Sequence, residues 1–95
     1  MKEEIIKRRY ESLLQMVLDI NGIGERIQSK TGLRPTGIFE FHGHCGIAVV
    51  RIYKKGWFPY ATADIDIIID CTVEKEYRNA CQTLLRVMED SKCME

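Results

Sequence analysis

Nothing in this chain supplies a membrane span, a secretory signal, a disulfide framework or a field of one charge sign. No stretch approaches about 18 consecutive apolar residues, and Met1-Lys2-Glu3-Glu4 places charge where a signal core needs apolar side chains. The expected location is therefore cytoplasmic, with no membrane partner. The four cysteines, Cys45, Cys71, Cys81 and Cys93, include no Cys-x-x-Cys pair and read as reduced thiols. Fourteen basic and fourteen acidic residues cancel, so no global field draws the chain to phosphates. Repeats, linkers and low-complexity segments are missing too, which leaves one globular unit.

What is present suits a single domain, 1–95. A chain of 95 residues buries only about 60–65% of its unfolded surface, so its core is small and a partner subunit would add much. Apolar content of 45% beside 29% charge argues against disorder. Residues 3–30 read as a long helix, with Ile6, Tyr10, Leu13, Val17, Ile20, Gly24 and Ile27 in one seam at alternating spacings of four and three. Leu14 and Leu18 widen that seam. Asn21-Gly22-Ile23-Gly24 predicts a kink or break at 21–24, because each glycine costs about 1 kcal/mol inside a helix. Gly32 and Pro35 end the run.

Three strand-like runs follow at about 36–42, 45–54 and 62–70. His42-Gly43-His44 turns the first into the second, which is apolar on both sides through Ile47-Ala48-Val49-Val50 and so suits a central strand. The segment 54–60, punctuated by Gly56 and Pro59, turns the second into the third. A last helix is expected over 73–90, with Thr72 as its N-cap, Glu74 and Glu76 in its first turn, and Cys93 beyond it in a tail. Val73, Tyr77, Ala80, Leu84 and Val87 form its apolar stripe.

The fold class is therefore α+β: a two-layer sandwich of helix, three-stranded antiparallel meander and helix (α-β-β-β-α), both helices on one sheet face. The expected core joins Leu13, Val17, Phe39, Ile47, Val49, Ile65, Ile67, Tyr77 and Leu84. Val50, Ile52 and Ile68 are expected on the far face. Together with the length of the first helix, that apolar surplus predicts a homodimer.

This element order is similar to that of double-stranded-RNA-binding domains. Their final helix opens with a lysine cluster that grips phosphates, whereas Thr72-Val73-Glu74-Lys75-Glu76 stands here and repels them. Nucleic acid is accordingly a partner to consider but not the favoured one.

The run Ala61-Thr62-Ala63-Asp64-Ile65-Asp66-Ile67-Ile68-Ile69-Asp70 resembles the metal-binding strand of minimal nucleotidyltransferases, over some ten residues. Alternation puts Asp64, Asp66 and Asp70 on one face, and such carboxylates suit magnesium. That family pairs this strand with an upstream Gly-Ser, where Ile52-Tyr53 stands here, and with a carboxylate from a later strand. The alternative the resemblance implies is divalent-metal-dependent phosphoryl or nucleotidyl transfer at Asp64 and Asp66. The competing reading is an edge strand kept soluble by aspartates.

His42, His44, Cys45 and Cys71 form a second candidate. If the second strand starts where the third ends, Cys45 and Cys71 become neighbours, and the four side chains match a tetrahedral zinc set. Consecutive His44 and Cys45 should point to opposite faces, which opposes that set. A His44–Cys71 nucleophilic pair is the catalytic variant, against a buried inert thiol.

The favoured binding surface is the turn carrying Lys54, Lys55, Trp57, Phe58 and Tyr60. Aromatic and cationic side chains together are typical of interface anchors, and rings at a projecting tip are hard to bury. The expected function is a small non-enzymatic binding protein, regulatory, adaptor or inhibitory, with no cofactor and another protein as its partner.

Overall fold

The helix-forming and strand-forming runs condense into six elements in this computed structural model, which describes residues 2–94. They are α1 (Lys2–Asn21), α2 (Gln28–Thr31), β1 (Thr36–His42), β2 (Ile47–Tyr53), β3 (Ile65–Ile69) and α3 (Glu74–Met94). The strands form one antiparallel sheet in the order β1-β2-β3, and the helices lie together on one face of it.

The long first helix is broken where the glycines fall. Gly22 adopts φ 83° and donates its N–H to Leu18 O at 2.7 Å, a left-handed stop that favours glycine. Asn21 secures the exit. Its Nδ2 donates to Gly22 O at 2.8 Å, and its Oδ1 accepts from Gly37 N–H on β1 at 3.1 Å. Helical structure resumes only for the four residues of α2.

α1 runs antiparallel to β1 at close quarters. A side chain at Gly37 would place its Cβ 2.9 Å from Val17 Cγ1, so the bare backbone there lets helix and strand touch. At the other end Tyr10 packs edge-on against Phe41, ring centroids 5.1 Å apart. Leu13, Val17 and Ile20 point inward from α1, and Ala80, Leu84 and Val87 from α3.

The facing of β2 reverses the expectation. Pairing sets Phe39 opposite Val50 and Val50 opposite Ile67, so Val50 and Ile52 are fully buried against the helices. Ile47 and Val49 point the other way and are outside the main core cluster. Of the residues expected on the outer face, Ile68 alone is there, 65% exposed. The physical reason is that β2 is apolar on both sides. Its own alternation carries no sign, and the neighbouring strands decide it.

Element ends moved slightly. β2 and β3 are shorter than expected, and α3 runs past Asp90 to Met94; the side chain of Cys93 lies outside the described residues. Thr72 is not the cap of α3. Its N–H and Oγ1–H both donate to Asp70 Oδ1, at 3.0 and 2.6 Å, while Asp70 N–H donates to Glu76 Oε1 at 3.1 Å. A carboxylate two residues earlier thus wins Thr72 by closing a local turn.

Two hydroxyls close the ends of the sheet. Tyr10 Oη donates to Gly46 O at 2.8 Å and accepts from Cys71 N–H at 3.1 Å, and Arg9 Nη1 donates to Cys71 O at 2.8 Å. At the far end Thr36 Oγ1 donates to Arg26 O at 2.8 Å and accepts from Trp57 N–H at 3.0 Å.

Candidate functional site

The segment joining β2 to β3 is half platform and half display. Its first half does not project. Gly56 sits at φ 90° against α2, where any Cβ would stand 2.8 Å from Gly32 O. Gln28 N–H donates to Trp57 O at 2.7 Å, Gln28 Nε2 donates to Lys55 O at 2.9 Å, and Ile27 bridges Trp57. Trp57 is half-buried as a result. The expectation of a free hairpin tip is corrected here: α2 and the loop after it lie across the turn and hold its backbone.

The second half carries the exposed rings. Phe58 is 46% exposed, and Tyr60 is fully exposed with φ 69°. A non-glycine residue in that region is uncommon, so the turn holds Tyr60 in a costly conformation with its ring in solvent. Lys54 and Lys55 flank the rings and are exposed. The contacts of Gly56 with Gly32 O and Arg34 O bring Leu33 and Arg34 alongside, both exposed. Among the described residues none of Arg34, Lys54 or Lys55 enters an ion pair. Sequence reading missed Leu33 and Arg34, because their link to the turn runs through backbone contacts 20 or more residues apart in the chain.

The aspartate strand is arranged differently. Asp64 Oδ2 accepts from Lys54 N–H at 2.7 Å, and Asp66 lies 3.7 Å from Arg51 Nε. Arg51 also donates to Glu40 Oε1 at 3.0 Å, and His42 Nε2 approaches the same oxygen at 3.5 Å. Asp70 is taken by Thr72, whose two bonds hold its carboxyl below the usual carboxylate range. Each carboxylate therefore has its own partner, and the Arg51 guanidinium opposes a divalent cation beside Asp66. Among the described residues no three His, Cys, Asp or Glu side chains are placed to share a metal ion.

The histidine–cysteine corner is pulled apart by the register. Ala48 pairs with Ile69, so continuing the ladder brings Cys71 opposite Gly46, with the Tyr10 hydroxyl between their backbones. Cys45 is exposed with its Sγ toward His42 O, whereas Cys71 is fully buried, and both are free thiols. Burial pushes the Cys71 thiol up to about 11, with the Arg9 guanidinium acting the other way. A thiol so placed is a core residue, and its raised value keeps it protonated at neutral pH. The His42 and His44 rings stand 5.9 Å apart on the exposed turn.

A second apolar surface was not located as a site by the sequence reading. Lys7, Tyr10, Glu11 and Leu14 of α1 and Phe39 and Phe41 of β1 line a groove of about 250 Å³. It lies along β1, a free edge of the sheet. Its signal in the sequence was Leu14 and Leu18, which broaden the apolar face of α1 beyond what the sheet covers; they are 40% and 39% exposed.

Comparison of the chain with protein families, with curated proteins and with solved structures finds no match. The fold and these surfaces define a small α+β domain, in which no helix among the described residues is long and apolar enough to cross a membrane.

Proposed function

We propose that the chain is a small non-enzymatic binding protein, acting as a regulator, adaptor or inhibitor through protein–protein contacts and working as a homodimer. One observation carries the reading. Phe58 and the strained, fully exposed Tyr60 follow Lys54 and Lys55 in a turn whose backbone is hydrogen-bonded to α2, with Arg34 alongside, and among the described residues none of these three cations enters an ion pair. Rings presented on a fixed platform lose little freedom on binding, which is how interface anchors gain affinity. Charge complementarity selects a partner with carboxylates around an apolar contact.

The inert Cys71 and the separately engaged Asp64, Asp66 and Asp70 favour this reading over nucleophilic or metal-assisted catalysis. The acidic start of α3, Glu74 and Glu76 with Asp70 before it, likewise disfavours phosphate binding in the double-stranded-RNA mode. Capture from the protein's own cells tests the proposal. The wild-type chain should retain a protein that a Phe58→Ser/Tyr60→Ser double variant loses, at unchanged melting temperature. Equal retention by the double variant would remove this surface from consideration, and retention of nucleic acid alone would overturn the protein reading.

A further inference from the structure

The groove between α1 and β1 has the chemistry of a surface meant for its own copy. Its floor is aromatic and aliphatic, from Phe39, Phe41, Tyr10 and Leu14. Its rim holds one cation and one anion, Lys7 and Glu11, both exposed and, among the described residues, in no ion pair. We infer that a second copy of this chain docks in this groove across a two-fold axis, α1 antiparallel to α1, with Lys7 of each protomer facing the partner's Glu11.

Three features on the molecule support a second copy over another occupant. First, a two-fold axis through the groove pairs Lys7 with Glu11 twice, so the rim is complementary to itself without any foreign charge. A strongly acidic or basic partner would leave one of the two opposed. Second, the area suits a weak, self-limited pairing. Lys7 against the partner's Glu11 overlaps the two α1 helices over residues 2–16, about 22 Å, and with β1 beside them the strip is on the order of 450 Å² per protomer. That is the size of a weak or transient interface, and Phe41, 53% exposed, would lie near its centre. Third, the two sheet edges are treated differently. β3 carries Asp66 and is bracketed by Asp64 and Asp70, charges that discourage edge contact, whereas β1 has neither lysine nor proline and only Glu40, already paired with Arg51. The formal net charge of zero adds no long-range repulsion between copies.

The inference rests on the homodimer proposed above and adds the surface and its charge code. Sedimentation of four proteins separates the two. The wild-type chain should sediment at twice its 11.0 kDa mass at micromolar concentration. Lys7→Glu or Glu11→Lys alone should weaken the dimer about tenfold or more, since each sets like charges together twice. The double variant Lys7→Glu/Glu11→Lys should restore it, and mixing the two single variants should give a heterodimer stronger than either parent. Both side chains involved, Lys7 and Glu11, are exposed, so folding is not at stake. A wild-type monomer overturns the dimer itself. A dimer indifferent to the single substitutions keeps the dimer and overturns this groove as its interface.

Discussion

The two ends of the sheet are closed by the same device and put to opposite use. At one end the Tyr10 hydroxyl donates to Gly46 O and accepts from Cys71 N–H, beside a thiol that is fully buried. At the other the Thr36 hydroxyl donates to Arg26 O and accepts from Trp57 N–H, beside rings left in solvent. The four bonds join segments 10 to 61 residues apart, so both hydroxyls stand in for secondary structure that the sequence does not continue. The Tyr10 end shuts the core. The Thr36 end builds a rigid stand for Phe58 and Tyr60.

Substitutions can break or sharpen that contrast, and Ile52, fully buried beside the Thr36 end, sets the scale. Ile52→Ala should lower unfolding free energy by about 2–5 kcal/mol in denaturant titration. A loss under about 1 kcal/mol would mean that β2 faces the other way. Gly56→Ala comes next. Its φ of 90° and the Cβ contact at 2.8 Å with backbone oxygen should cost about 1–3 kcal/mol and loosen α2, seen as faster amide exchange at Gln28.

The hydroxyls themselves give the direct comparison. Thr36→Val strands a buried N–H and carbonyl and should cost about 1–3 kcal/mol, while Tyr10→Phe, at a less buried ring, should cost about 1 kcal/mol. The reverse order would make the Tyr10 end the stronger of the two. That end also carries the pH dependence. Burial raises both the Tyr10 phenol and the Cys71 thiol, the latter from 9.0 to about 11. Groups raised in the folded state contribute stability that is complete below their unfolded values and is lost as pH rises through the folded ones. Stability should therefore fall between pH 9 and 11, and Cys71→Ala should flatten the slope. An unchanged slope would mean that the thiol is not desolvated. The smallest effect belongs to the display. Tyr60→Gly relieves a positive φ while losing an exposed ring, and should move stability by less than about 0.5 kcal/mol yet abolish partner capture.

How far the sequence carries differs between these regions. Element order, the β1 boundaries and the break after Asn21 are legible because each has a local cause: alternation, a glycine, a proline. The sidedness of β2 is not, since Ile47-Ala48-Val49-Val50 holds no polar residue to mark a face. Thr72 was misjudged because α3 begins at Glu74, one residue later than a Thr72 cap requires, and its hydroxyl donates to Asp70 in the turn before the helix. The exposed rings at 58 and 60 were legible as the candidate site, but Leu33, Arg34 and the α1–β1 groove were not. These depend on contacts across the fold, which a linear pattern does not encode. Beside the widening of the α1 seam by Leu14 and Leu18, Tyr10 in that seam was a further hint, because a half-buried phenol needs a partner for its hydroxyl.

Trp57 is the sole tryptophan, and it sits where α2 meets the β2–β3 connection, with its backbone bonded to Thr36 and Gln28. The chain thus carries an optical gauge for one end only. Its emission reports the local environment of that junction, whereas far-ultraviolet ellipticity is dominated by α1 and α3, which lie elsewhere. Coincident traces on heating would describe a molecule that opens all at once. An earlier shift in emission would mean that the stand for the exposed rings comes loose while the helical layer is still intact.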